Sequence, residues 1–273
     1  MIKLEILLEI WYDRVLFFNK GVTYMRRKLI AGNWKMNTLK ADGVALAKAV
    51  FEKAQGALPF DVLICPPMSL LGTIADLPHT IGVGSQDVAV APSSFGAYTG
   101  DVSAEMVRDL GASHAIVGHS ERRMMHGETD VIVQEKATKA IGAGLTAVIC
   151  IGETLEEREA GKALEVVTTQ IHGSVPMIAK ADNCVIAYEP VWAIGTGKVP
   201  TTADVAEVHA VIRAELTKLL GKEIADEMRI LYGGSVKPSN AKELLSVDHV
   251  DGALIGGASL KADDFWAIAE TQM

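Results

Sequence analysis

The sequence predicts an α/β protein of a single domain, a closed (β/α)8 barrel. Three observations carry that expectation. Eight short apolar runs recur along the chain, each followed by a polar turn and a helical segment. The runs are continuous rather than alternating, as strands buried on both faces require. No Pro-, Gly- or Ser-rich linker divides the chain after Met25, so the 273 residues read as one unit of a length ordinary for such barrels.

Taken in order, the first run is Leu29–Ala31, which leads into "AGNWKMN". The second is Val62–Cys65. The third, Ile81–Gly84, precedes a long segment of small and apolar residues, Gln86–Asp101, and then the helical pattern "SAEMVRDLGA". That helix, Ser103–Ala112, has a Ser cap, an acidic first turn and a Gly stop. The fourth run, Ala115–Val117, leads into "GHSERR", and the fifth is Ala147–Ile151. The sixth, Val185–Tyr188, ends in Glu189 and Pro190. A helix is predicted over Thr201–Gly221, opened by Thr201 and Asp204 in a capping-box pattern. Its apolar stripe is Val205, Val208, Ile212, Leu216 and Leu219. The seventh and eighth runs are Ile230–Tyr232 and Ala253–Ile255, each followed by a glycine pair. Strands alternating with helices form parallel sheets. A doubly wound open sheet is the alternative, but its G-x-G-x-x-G fingerprint is missing after the first strand.

Composition narrows the function. A net charge of −8 disfavours nucleic acid and anionic membranes as partners. An anionic ligand would need local cations or backbone N–H groups to hold it against that field. No uncharged apolar stretch reaches the roughly 20 residues of a membrane span. Cys65, Cys150 and Cys184 lie in strand-like runs without metal spacing and read as buried, reduced thiols of a cytoplasmic protein. Met1–Tyr24 breaks the composition: it is rich in aromatics, and its charges cancel. Acidic residues interrupt any signal-peptide core. The expectation is an extension outside the catalytic domain, with residues 25–273 as the barrel, Met25 as the working start, and catalysis independent of the segment.

In a barrel of this kind the site lies at the C-terminal ends of the strands. Asn33 and Lys35 follow the first strand, His119, Ser120 and Glu121 the fourth, and Glu189 the sixth. Gly233, Gly234 and Ser235 follow the seventh, and Gly256 and Gly257 the eighth. Glycine turns let backbone N–H groups approach a phosphate, but they also serve as plain tight turns. His119, ahead of a helix, either caps it or stays neutral and donates to a carbonyl. Lys35 supplies positive charge at the mouth or pairs structurally with Glu121 or Glu189. Glu189 precedes a proline, which favours extended backbone and aims the carboxylate at the mouth. A desolvated carboxylate there gains basicity toward a carbon acid. His79, His114, His126, His172, His209 and His249 read as solvated or structural residues in turns or on helix faces.

The motifs "AGNWKMN", "VGHSERR", "YEPVWAIGTG", "YGGSV" and "IGGASL" occur in order over nearly all of Met25–Met273. In these the chain resembles the triosephosphate isomerase family, itself the reference case for a glutamate base, a neutral histidine and a closing loop. The resemblance implies a TIM barrel that interconverts dihydroxyacetone phosphate and D-glyceraldehyde 3-phosphate through an enediolate, in glycolysis and gluconeogenesis. It implies Glu189 as base, His119 as electrophile and Lys35 as electrostatic partner, with Asn33 beside it. It implies Gly195, Ser235, Gly256 and Gly257 as phosphate donors, and Glu121 as a supporting residue. No metal or organic cofactor is implied. The family forms homodimers, here through Gln86–Asp101, with Thr99 near the partner's site. Val191–Ile194 would form the stem and tip of a lid that excludes water. Three departures stand out: Asp101 where Glu is frequent, Pro200 near the lid's hinge, and the extension. Pro200 would stiffen that hinge or open the next helix at its first turn. The alternative function is another phosphate-binding barrel isomerase or lyase, although no strand-end lysine in units five to seven offers a Schiff base. A non-catalytic barrel would lack one of these groups.

Overall fold

Eight parallel strands close into one barrel in sequence order. The computed structural model describes residues 26–194, 198 and 200–273. The expectations for Met1–Tyr24, Met25 and Gly195 lie outside the described residues. The strands are β1 (Leu29–Asn33), β2 (Asp61–Cys65), β3 (Gly82–Ser85), β4 (His114–Val117), β5 (Thr146–Ile151), β6 (Cys184–Tyr188), β7 (Arg229–Tyr232) and β8 (Gly252–Ile255). Among the described residues the helices are α1 (Lys40–Lys53), α2 (Met68–Ala75), α3 (Ala104–Asp109), α4 (Ser120–His126), α5 (Asp130–Gly142) and α6 (Leu155–Glu159). They continue with α7 (Ala163–Ser174), α8 (Thr202–Leu220), α9 (Lys222–Glu227), α10 (Ala241–Leu245) and α11 (Ala262–Ala269).

The continuous apolar runs now have their reason. One set of strand residues, including Leu29, Ala31, Leu63, Cys65, Val148, Cys150, Val185, Ala187, Leu231 and Leu254, fills the barrel interior. Their alternates, including Ile30, Val62, Ile64, Ile149 and Ile186, pack outward beneath the helices. Both faces of each strand are therefore dry, and neither face needs polar residues. The same parity sets the mouth. Continuing the inward series gives Asn33 above Ala31 and Glu189 above Ala187. In register, Gly152 and Gly233 flank Glu189, one step beyond the pairs Ile151–Tyr188 and Tyr188–Tyr232. Small residues at these inward positions leave the mouth hollow.

Helix ends follow local chemistry. The Ser103 hydroxyl accepts the Met106 N–H at 3.2 Å. Helix α3 stops at Asp109, short of the expected Ala112, because Gly111 turns the chain at φ 89°. Helix α8 has the expected capping box between Thr201 and Asp204 and ends at Gly221, φ 89°. Pro200 precedes the Thr201 cap, so it does not occupy the first helical turn. His114 is a second correction. It opens β4 rather than lying in a turn or on a helix face, and Ser113 Oγ lies 2.8 Å from its Nδ1. Burial and the nearby Arg229 push its pKa down to about 4, so it is a neutral structural residue. The three cysteines are free and buried.

Beyond β3, Val88 is buried in the core, while Phe95 and Thr99 are exposed. The root of that segment is held by a buried ion cluster. Lys136 of α5 places its Nζ 2.6 Å from Asp87 and 2.6 Å from Glu128. Arg122 bonds the same two carboxylates at 2.9 and 2.5 Å. Among the described residues no helix is long and apolar enough to cross a membrane.

Candidate active site

A cavity of about 680 Å³ opens at the C-terminal end of the barrel. Its lining includes Asn33, Lys35, His119, Glu189, Gly233–Val236, Gly256 and Gly257. The residues expected from strands one, four, six, seven and eight thus share one space. Glu121 reaches it through Lys35. Thr99 does not line it and sits on the exposed segment beyond β3.

Glu189 is 2% exposed. Its Oε1 lies 2.9 Å from His119 Nε2, and its Oε2 accepts the Ser120 N–H at 3.0 Å. His119 is the N-cap of α4, and its Nδ1 accepts the Glu121 N–H at 3.2 Å. A ring nitrogen that accepts carries no proton, so the remaining proton of a neutral ring sits on Nε2, facing the cavity. Burial lowers the pKa of His119, but the Glu189 carboxylate outweighs it and the net direction is upward. This modifies the expectation that the helix terminus keeps the ring neutral: in this arrangement the carboxylate favours imidazolium. For Glu189, burial raises the pKa, but His119, the Ser120 N–H and Lys35 together hold it below the usual carboxyl range.

Lys35 bonds Glu121 at 2.5 Å and not Glu189. Its backbone is left-handed, φ 52°, a conformation costly for a long side chain and kept only where surroundings enforce it. Two bonds do so: Asn33 Oδ1 accepts the Lys35 N–H at 3.0 Å, and Gln86 Nε2 donates to the Lys35 carbonyl at 2.9 Å.

The apolar stretch after Glu189 is less exposed than its sequence suggests. Val191–Ala193 forms a 3-10 turn with Ala193 fully buried. Trp192 Nε1 donates to Glu153 Oε1 at 2.8 Å, and Arg158 stacks over the indole at 5.5 Å. Glu153, fully buried, also accepts the Tyr188 hydroxyl at 3.1 Å. The Tyr232 hydroxyl is buried beside Gly234 with no hydrogen-bond partner among the described residues.

Sequence reasoning missed Glu153 and Gln86. Glu153 had a legible signal: it stands two residues past the end of the fifth strand, as Glu189 stands one past the end of the sixth. Gln86 follows the third strand, but nothing in its neighbourhood marks which backbone it bonds. Among the described residues no cluster of three or more His, Cys, Asp or Glu side chains is grouped to hold a metal ion. The site offers a buried carboxylate, an imidazole, an ammonium and glycine-lined turns. That set can move a proton on a carbon beside a carbonyl while holding an anion.

Comparison with known proteins points to one family. The family model described as Triosephosphate isomerase matches residues 28–272. A triosephosphate isomerase of Ruegeria sp. is 56% identical over 246 residues, 89% of this chain and 97% of the relative. One of Xanthobacter flavus is 55% identical, over 91% of this chain and 98% of the relative. A crystal structure of triosephosphate isomerase from Bartonella henselae superposes with a TM-score of 0.83 at 48% identity, over 90% of this chain and 98% of that one.

Proposed function

The chain belongs to the triosephosphate isomerase family, and on that premise we propose how its own residues carry the reaction. The enzyme interconverts dihydroxyacetone phosphate and D-glyceraldehyde 3-phosphate, a step of glycolysis and gluconeogenesis. The observation that carries the residue assignment is the contact between His119 Nε2 and Glu189 Oε1 at the cavity floor.

Substrate oxygen competes for the Nε2–H and releases Glu189 toward carbon. Glu189 takes the proton from one carbon, becomes a carboxylic acid, and returns it to the neighbouring carbon. The electron pair left on carbon moves onto the carbonyl oxygen and gives the enediolate. His119 donates Nε2–H to that oxygen and passes protons between the two oxygens. Once the Glu189 carboxylate turns away, burial and Lys35 lower the pKa of the ring, opposed only by the smaller pull of Glu121. The ring in the complex is then neutral, and a neutral N–H donor matches the developing oxyanion. Lys35, steadied by Glu121 and assisted by Asn33, adds positive charge at the same oxygen.

Ser235, Gly256 and Gly257 hold the phosphate with backbone N–H groups, which suits a net-negative chain. Gly195, outside the described residues, completes that set. Val191–Ile194 leads into the lid, and closing it removes water from Glu189 and from an enediolate prone to lose phosphate. A coupled assay with glyceraldehyde 3-phosphate tests the assignment. Glu189→Gln is expected to lose about 10³-fold or more in kcat with KM little changed, because it removes the base and little ground-state binding. An unaltered kcat would refute Glu189 as base.

We also propose a homodimer through Gln86–Asp101, with Thr99 approaching the partner's site. Exposed Met36, Phe95, Met124 and Met125, on segments following β1, β3 and β4, support it, since large apolar side chains left in water are candidates for burial at an interface. Residues 25–273 are proposed as the catalytic domain, supported by the family match over residues 28–272. Protein started at Met25 should keep its kcat/KM, and a change of about tenfold would overturn that boundary. A cytoplasmic location is proposed from the buried free thiols and is checked by cell fractionation.

A further inference from the structure

We propose that Gln170, on the outer helix α7, is a positioning residue for the base: its side chain clamps Gly152, the residue against which the Glu189 main chain rests. The inference rests on Glu189 being the base.

Strand β5 and the residues beyond it form the seat of the catalytic segment. The Glu189 N–H donates to the Ile151 carbonyl at 2.7 Å, and the Val191 N–H to the Glu153 carbonyl at 3.0 Å. Gly152 lies between these two bonds. A Cβ added there would fall 1.7 Å from the Glu189 carbonyl oxygen and 3.2 Å from its Cα. The two main chains therefore touch with no side chain between them, and a displacement of Gly152 passes directly to Glu189. The ladder ends at the pair Ile151–Tyr188, so Gly152 needs partners from elsewhere for its peptide groups. One side chain supplies both. The Gly152 N–H donates to Gln170 Oε1 at 2.7 Å, and Gln170 Nε2 donates to the Gly152 carbonyl at 3.3 Å.

Packing around the seat is incomplete on one side. A cavity of about 110 Å³, bordered by Cys150, Gly152, Gln170 and Glu189, adjoins it. Without the clamp, the β5 end is free to relax toward that space. A reacting group misplaced by about 1 Å costs on the order of 10²-fold in rate. A purely structural glutamine would lower stability and leave the turnover of each folded site unchanged.

The test uses full-length Gln170→Met, which keeps length and loses the amide. Its companion Gln170→Glu keeps the acceptor for the Gly152 N–H and loses the donor. Active sites are counted by calorimetric titration with 2-phosphoglycolate, and kcat, KM and the pH profile of kcat are measured per site. For Gln170→Met, kcat per site should fall about 10- to 100-fold, with KM within about twofold and a shifted acid limb. For Gln170→Glu the fall should be smaller but above about threefold. A kcat per site within about twofold of the parent in both variants overturns the clamp, as does a rise in KM with kcat unchanged. If Gln170→Met does not fold, Gln170→Glu decides alone by the same limits. Silent Gln170 variants beside an inactive Glu189→Gln would remove the clamp and leave the base assigned. An active Glu189→Gln would remove both.

Discussion

His119 Nε2 and Glu189 Oε1 stand 2.9 Å apart at the cavity floor, and the two residues are 5% and 2% exposed. The proposed electrophile and the proposed base occupy one another in this structure, which makes each group's protonation depend on the other.

That dependence has a measurable sign. Glu189 has its pKa lowered, so its contribution to stability is full above the unfolded value of about 4.3 and is lost as pH falls through the lower folded value. His119 has its pKa raised, so its contribution is full below about 6.5 and is lost as pH rises through the higher folded value. The stability lost in Glu189→Gln should therefore be largest between about pH 4.3 and 6.5 and shrink toward pH 9. By NMR titration, His119 should titrate above an ordinary imidazole in the parent. In Glu189→Gln it should titrate below, because burial and Lys35 then dominate. An unmoved His119 titration would contradict the coupling.

Two glycines at the mouth should separate folding from binding. A Cβ at Gly234 would lie 2.1 Å from the Tyr232 hydroxyl, whereas one at Gly257 meets nothing within 4 Å. Gly234→Ala is expected to lose about 1–3 kcal/mol of stability through overpacking. Gly257→Ala should keep the parent's Tm yet raise KM, since its methyl stands in the cavity where phosphate is proposed to bind. Thermal unfolding and steady-state kinetics on both proteins decide this, and equal Tm values would show that the crowding at Gly234 relaxes freely.

Lys136 is 4% exposed between Asp87 and Glu128. Lys136→Met removes the cation and leaves two carboxylates crowded together with only Arg122. Breaking a buried ion pair in this way costs about 3–5 kcal/mol. Urea unfolding should show the loss at neutral pH, and part of it should return on mild acidification as a carboxylate protonates. A loss below about 1 kcal/mol would mean the cluster is solvated as a surface pair is.

Phe95 is 69% exposed at the outer end of the segment beyond β3. If that segment seats in a second copy of the chain, Phe95→Asp buries an unpaired charge at the interface and should give monomers in sedimentation experiments. A parent protein that sediments as a monomer would sink the dimer directly.

The apolar periodicity of the chain determined the barrel, the order of its strands and the end of each strand that carries chemistry. Those properties are local. A run dry on both faces is a buried parallel strand wherever it lies, and a residue just past its end is at the mouth. For that reason Asn33, Lys35, His119, Glu189, Ser235, Gly256 and Gly257 were legible before any coordinates. Partner choice was decided only by the tertiary structure. Lys35 bonds Glu121 rather than Glu189, and Trp192 finds Glu153. Gln170 reaches Gly152 across 18 residues from an outer helix. His114 reads as a polar turn residue in sequence but opens a strand, because Gly84 of β3 and Thr146 of β5 stand beside it in register. Even the proton on His119 depends on a carboxylate 70 positions away along the chain, by subtraction of the residue numbers, held at hydrogen-bonding distance by β6. Periodicity reports which face of an element is dry. Only the packed barrel fixes which side chain of another element stands opposite, and partner choice and pKa depend on that distance.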